Sequence, residues 1–139
     1  MNNFNGKAAV ITGAASGIGL ALAKYAAAQG MNLVLADIDE TALKTAVDQL
    51  NLPADRVLAA RTDVRHASEI KALADAAYAQ FKAVHLLFNN AGVALARTTW
   101  EHTVADWEWI LQVNLWSVVH GISEFLSRMH AQGGPAHII

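Results

Sequence analysis

The chain of 139 residues is long enough for one domain with a real hydrophobic core, and too short for a cofactor domain joined to a separate substrate domain. Its 54% hydrophobic and 16% charged residues, with a formal net charge of -2, show no basic excess, which argues against nucleic acid and anionic membrane surfaces as partners. The absence of cysteine removes disulfide frameworks, thiolate zinc sites and cysteine nucleophiles together.

The opening segment Met1 to Lys7 lacks a charged stretch followed by a long apolar one, and no apolar run approaches the ~20 residues of a membrane span, so a soluble cytoplasmic protein is expected. Short apolar runs then alternate with amphipathic stretches. The first strand is predicted over Ala8 to Thr12, followed by a helix from Gly17 to Gln29 that Gly30 ends. A second strand, Asn32 to Asp37, leads to a helix from Glu40 to Leu50, for which Asp39 offers a cap. Beyond a turn at Leu52-Pro53-Ala54-Asp55 come a third strand, Val57 to Thr62, and a helix from Ala67 to Phe81 that Ser68 could cap. A fourth strand, His85 to Asn89, precedes a long helix from Thr103 to His130; Gly133-Gly134-Pro135 breaks it before a last strand, Ala136 to Ile139. The strands are Val, Ile, Leu and Ala with little polar alternation, which predicts a parallel sheet covered on both faces. Such an α/β order with right-handed crossovers gives an open doubly wound sheet whose ligand crevice lies at the carboxyl ends of the strands. Function is therefore expected on the loops after Thr12, Asp37, Thr62 and Asn89.

The first of these loops is glycine-rich, Thr12-Gly13-Ala14-Ala15-Ser16-Gly17-Ile18-Gly19, and it joins a strand to a helix. Glycines there permit a tight turn and close backbone approach to a pyrophosphate, whose charge the free N–H groups and the helix dipole stabilise. A merely structural turn is the competing reading. Asp37 ends the second strand 18 residues beyond Gly19, near the ~20-residue spacing at which a carboxylate receives the adenosine ribose hydroxyls. It would accept from the diol and repel a 2′-phosphate, pointing to NAD rather than NADP. A helix-capping or solvent-facing aspartate is the alternative.

In these residues the chain resembles the short-chain dehydrogenase/reductase family, in the subgroup whose loop reads T-G-x-x-x-G-x-G. The three residues between Gly13 and Gly17 differ from the two-residue gap of extended, epimerase-like relatives. Asp63-Val64 after the third strand, Asn89-Asn90-Ala91-Gly92 after the fourth and Asn114 in the long helix follow in family order. The resemblance covers essentially the whole chain. It implies a Rossmann-like fold with strand order 3-2-1-4-5, and cofactor binding by Gly13, Ser16, Gly17, Ile18, Gly19, Asp37, Ile38, Asp63, Val64, Asn90, Ala91 and Gly92. Asp63 is implied to accept from the adenine amino group, a turn aspartate being the alternative. In Asn89-Asn90-Ala91-Gly92 the backbone is implied to line the ribose while the asparagines brace the sheet. Asn114, set between Val113 and Leu115 in a mainly apolar helix, is expected to be bonded, since burial without partners would cost a few kcal/mol; a locally satisfied helix asparagine is the alternative. The resemblance implies a supporting catalytic role for it, through a water linking a catalytic lysine to a proton relay.

The family's chemistry depends on a serine after the fifth strand and a Tyr-x-x-x-Lys pair on the next helix. Neither is found at the corresponding place, and the sequence reaches only Ile139. Tyr78-Ala79-Gln80-Phe81-Lys82 has the spacing but precedes the fourth strand, which puts it at the wrong end of the sheet for catalysis. The six histidines, His66, His85, His102, His120, His130 and His137, have no metal-binding spacing, and no metal site is expected.

Along the long helix Val104, Trp107, Leu111, Leu115, Val118, Ile122 and Phe125 form an apolar stripe expected to pack on the sheet. A second stripe, Trp109, Val113, Trp116 and His120, calls for another partner surface; the resemblance implies a homodimer or homotetramer through residues 103–130, a later helix of the same chain being the alternative. An apolar strand at His137-Ile138-Ile139 without a following helix would invite aggregation, so residues 1–139 are expected to form an incomplete dinucleotide-binding domain. The leading expectation is an NAD-dependent oxidoreductase acting on small alcohols or ketones in its complete form, these residues alone being inactive. A noncatalytic NAD-binding or subunit-interaction module is the alternative, and an isomerase or lyase on the same scaffold is disfavoured by the glycine spacing.

Overall fold

A computed structural model describes residues 3–139; Met1 and Asn2, at the head of the segment read above for a leader, lie outside the described residues. Strands β1 (Ala8–Thr12), β2 (Asn32–Asp37), β3 (Val57–Arg61), β4 (Leu86–Phe88) and β5 (His137–Ile138) form one parallel sheet in the order β3-β2-β1-β4-β5. Helices α1 (Gly17–Ala28), α2 (Glu40–Leu50), α3 (Ala67–Phe81), α4 (Val104–Leu111) and α5 (Ser117–Ala131) surround it, and a π-helical turn over Gln112–Trp116 joins the last two. The expected Rossmann-like α/β architecture and strand order are both present.

The side-chain period of a strand explains the two cores. Ala9, Ile11, Leu33 and Leu35 point to the face covered by α1 and α2, where they meet Ala23, Ala26 and Leu43. Val10, Val34, Ala36 and Leu87 point to the other face, against Ile70, Leu73 and Ala77 of α3 and Phe125 and Met129 of α5. All five β1 residues are buried, as befits a central strand covered twice. Asp39 caps α2 by accepting from the Ala42 N–H, as expected. Ser68 does not cap α3: His66 stands at that position and makes no side-chain cap bond.

The long helix departs most from expectation. Val104, Trp107, Leu111, Leu115 and Ile122 are exposed, and of the stripe assigned to the sheet only Phe125 is fully buried. The buried positions are instead Val113, Ser117, Gly121, Phe125 and Met129, four residues apart. Two causes are visible. The π-helical turn at Gln112–Trp116 inserts an extra residue and rotates the positions beyond it, Ile122 among them, relative to α4. The inward face also carries small residues that let the helix approach the sheet: a Cβ on Gly121 would lie 2.2 Å from the Asn89 side-chain oxygen. A search for large apolar side chains finds the opposite face.

At the amino ends of the strands, Gln132 closes the structure. Its side-chain carbonyl accepts from the Tyr78 hydroxyl and the Val84 N–H, both at 3.0 Å, and its amide donates to the Val84 carbonyl. Arg128 lies 5.8 Å from the Tyr78 ring centre and pairs with Asp75 at 2.8 Å, joining α3 to α5. Lys82 caps α3 in a left-handed conformation and donates to the Ala79 carbonyl. Tyr78 and Lys82 are thus placed away from the glycine loop, Tyr78 packed against the end of α5 and Lys82 an exposed cap of α3.

On the same side His85 accepts the Ala8 N–H through Nδ1 at 3.1 Å. Burial, reinforced by the charge of Lys7, pushes its pKa below the ordinary histidine value. Because the folded state disfavours the proton that the unfolded chain accepts, this stability is complete above the unfolded pKa of about 6.5 and is lost as pH falls through the folded value. We expect melting temperature to decline as pH drops below 6.5, and His85→Asn to flatten that decline; an unchanged slope in the variant contradicts the assignment.

Candidate dinucleotide site

Register places the carboxyl ends of the strands together: Thr12 lies opposite Ala36, Asp37 opposite Arg61, and Ile11 opposite Phe88. The loops that leave them surround one cavity of about 470 Å³. All the residues assigned above to a cofactor line it: Gly13, Ser16, Gly17, Ile18 and Gly19 from the first loop, Asp37 and Ile38 from the second, Asp63 and Val64 from the third, and Asn90, Ala91 and Gly92 from the fourth. Four loops that are far apart in sequence meet in one place, at the edge that the topology singles out.

The glycine loop is shaped by contact with the fourth loop. Gly13 has φ +63°, and a Cβ there would sit 2.9 Å from the Ala91 Cα. At Gly19 a Cβ would meet the Gly13 carbonyl oxygen at 2.0 Å and the Asn90 amide nitrogen at 2.7 Å. Asn90 donates from that amide to the Thr12 carbonyl at 2.8 Å and the Gly13 carbonyl at 3.2 Å, the bracing expected of it. Thr12 completes the joint: its hydroxyl accepts from the Asn90 and Ala91 N–H groups, both at 3.0 Å, and donates to the Phe88 carbonyl at 3.3 Å. Thr12 opens the glycine motif in sequence, but the joint its hydroxyl makes with the fourth loop is visible only in space.

Helix α1 opens onto the cavity with an unusual start. Ser16 makes no side-chain cap bond and the first turn contains no acid, whereas α2 has both Asp39 and Glu40 there. The first-turn N–H groups of a helix have no acceptor within the helix, so their partial positive charge faces the cavity without a side-chain anion. Across the loop, Asp37 accepts from the Ala15 N–H at 3.0 Å and the Asp39 N–H at 3.1 Å. One carboxylate therefore ties the glycine loop to the end of β2. Ile18 and Ile38 are exposed, and both line the cavity.

Asp63 is buried, yet its carboxylate is fully engaged. Arg65 donates to it from Nε, at 2.9 and 3.1 Å, from Nη2, and from its backbone N–H at 3.1 Å. These hydrogen bonds from Arg65 hold the Asp63 carboxyl below the usual carboxylate range, against the opposing effect of burial. The Asp63 N–H is taken by Glu69 at 2.7 Å. Arg65 and Trp109 also line the cavity, and neither was singled out in the sequence. The Asp-x-Arg spacing is the sequence signal for Arg65, whereas Trp109 belongs in sequence to a helix stripe.

Asn114 is exposed, and both ends of its amide are used. Its oxygen accepts from the Val93 N–H and its nitrogen donates to the Val93 carbonyl, each at 2.8 Å. The partner lies 21 residues away, so the bond is not a local helix contact. The amide acts like a neighbouring strand, and it is offered by the π-helical turn. It tethers the chain just beyond Gly92, where a Cβ would stand 3.5 Å from the Asn114 oxygen.

The family model for short chain dehydrogenases matches residues 7–139, and the chain belongs to this family. It is 37% identical over 139 residues to a CLA biosynthesis dehydrogenase/reductase of Lactiplantibacillus plantarum, covering all of this chain and 49% of that protein. A cyclohexanol dehydrogenase of an Acinetobacter species is 35% identical over 136 residues, covering 97% of this chain and 54% of the relative. Among solved structures, a short chain dehydrogenase/reductase from Burkholderia phymatum in complex with NAD superposes with a TM-score of 0.94 at 49% identity, covering 99% of this chain and 49% of that one. The chain thus spans about half the length of the relatives it matches. Among the described residues no helix is long and apolar enough to cross a membrane.

Proposed function

We propose that this chain holds the adenosine and pyrophosphate of NAD and forms the cofactor half of an oxidoreductase that transfers hydride between nicotinamide and a small alcohol or ketone. The observation that carries the proposal is the glycine cradle: a Cβ at Gly19 would fill it, and uncapped N–H groups at the start of α1 border it. The donors suit a diphosphate, and Asp37 at the end of β2 suits a ribose diol and opposes a 2′-phosphate. A bound nicotinamide supplies the hydride acceptor. Trp109, Val113 and Val93 give the cavity an apolar wall beyond Gly92, which limits water there. Asn114 fixes the Val93 backbone and is assigned a supporting role at the reacting end, as a positioning residue. The NAD complex of the Burkholderia protein and the alcohol named for the Acinetobacter relative support this reading.

The exposed apolar side chains Trp107, Leu111, Leu115, Trp116 and Leu126 are proposed to pair with a second copy of the chain, giving a dimer or tetramer. A monomer at micromolar concentration in sedimentation would contradict that pairing. The activity is tested by following nicotinamide absorbance while the complete protein meets NAD and a series of secondary alcohols. Reduction of NAD by at least one of them is expected. Intact NAD binding without turnover on any would favour the noncatalytic binding module, and residues 1–139 alone are expected to be inactive.

A further inference from the structure

We propose that the segment leaving the fourth strand, Val93-Ala94-Leu95-Ala96, forms one wall of the substrate site and selects a secondary alcohol with apolar flanks, alkyl or alicyclic, over a polyol. The inference deepens the oxidoreductase reading and rests on it. Sheet order places the segment. The groups proposed to hold the ribose and the diphosphate, Asp37 and the glycine loop, sit at the carboxyl ends of β2 and β1. With the strands in the order β3-β2-β1-β4-β5, a dinucleotide whose adenosine lies toward β2 has the ends of β4 and β5 left for its nicotinamide. The chain that leaves β4 at that edge passes Gly92 and runs directly into Val93.

This segment offers shape without side-chain hydrogen bonds. Valine, alanine and leucine neither donate nor accept, and the first polar side chains that follow are engaged internally: Arg97 pairs with Asp106 at 3.3 Å, and the Thr98 hydroxyl with Glu101. The segment is also held in place. Asn114 fixes the Val93 N–H and carbonyl, each at 2.8 Å, and the Arg97 N–H closes a turn on the Leu95 carbonyl at 3.0 Å. Val93 and Leu95 are half-buried while Ala94 and Ala96 are exposed, so the open side carries small apolar groups. A hydroxyl pressed against such a surface loses water and gains no side-chain partner, whereas an alkyl carbon gives up nothing polar. An apolar site rejects a single added hydroxyl by up to about 100-fold, and a polyol carries several.

The test measures kcat/KM of the complete protein with NAD for hexan-2-ol, cyclopentanol and sorbitol, in the wild type and in the double variant Ala94→Asn, Ala96→Asn, whose substitutions fall on exposed positions. The wild type is expected to favour the better of the two apolar alcohols over sorbitol by at least about 100-fold. The variant should narrow that ratio while its NAD affinity, read by calorimetry, stays close to that of the wild type. A smaller wild-type ratio, or a ratio that a folded variant leaves unchanged, overturns the proposal. A narrowing matched by an equal loss of NAD affinity overturns it too, because the segment then serves the cofactor. The wild-type ratio alone decides the matter should the variant not fold. NAD binding without turnover of any alcohol overturns the oxidoreductase reading, and this inference with it, whereas turnover of sorbitol as readily as of the apolar alcohols overturns this inference alone.

Discussion

Replacing Gly19 by alanine is expected to weaken NAD binding by at least ~100-fold, equivalent to about 2.7 kcal/mol, while leaving the sheet intact. The added methyl would lie 2.0 Å from the Gly13 carbonyl oxygen and 2.8 Å from its carbon, atoms of the main chain that cannot rotate out of the way. Either the first turn of α1 or the Gly13 peptide must move, and the same displacement breaks the Asn90 contact to the Gly13 carbonyl. Forcing a methyl into so close a contact typically costs ~1–3 kcal/mol of stability, so a lower melting temperature should accompany the loss. Gly17→Ala is the informative contrast. Nothing lies within 4 Å of a Cβ there, and the only penalty comes from its φ of +52°. That left-handed conformation costs roughly 1–2 kcal/mol for other residues. Equal effects of the two substitutions on binding would contradict the steric account of the cradle.

The second large effect is expected at Asp37. Asp37→Ser should weaken NAD binding at least ~10-fold and shift the ratio of NAD to NADP affinity toward NADP by ~100-fold, because it removes the proposed diol acceptor and the negative charge proposed to oppose a 2′-phosphate. Two unit charges a few ångströms apart at an effective dielectric constant near 20 interact by ~3–4 kcal/mol, so a change of that size is within reach. The structure adds a second consequence. The same carboxylate accepts from Ala15 and Asp39, so the variant also loses a tie between the glycine loop and β2. Part of the loss should therefore fall on both cofactors alike. Calorimetric constants for NAD and NADP, with wild type and variant, separate the shared part from the selective part; an unchanged ratio would remove Asp37 from the recognition of the ribose.

Much of this arrangement was legible in the residues because the relevant physics is local. A central parallel strand buried on both faces has to carry an unbroken apolar run, which is how residues 8–11 and 33–36 read. A helix that starts at a ligand needs glycine before it, and a strand-end aspartate is visible from its spacing alone. What stayed hidden depends on neighbours in space. Ser117 and Gly121 face the core because small side chains allow α5 to close on the sheet and leave room for Asn89, and a search for hydrophobic stripes gives such residues no weight. The π-helical turn at Gln112–Trp116 has no simple sequence signature, yet it is this turn that presents Asn114 to Val93. The resemblance implies that Asp63 accepts from a base; that Arg65 also bonds its carboxylate is visible only from the distances.

Isothermal titration of the folded protein with NAD and with NADP bears most directly on the account. Saturable uptake of one NAD per chain is expected, with NADP bound at least ~10-fold more weakly, as the carboxylate at the end of β2 requires. A flat thermogram with NAD, or tighter binding of NADP, would contradict it.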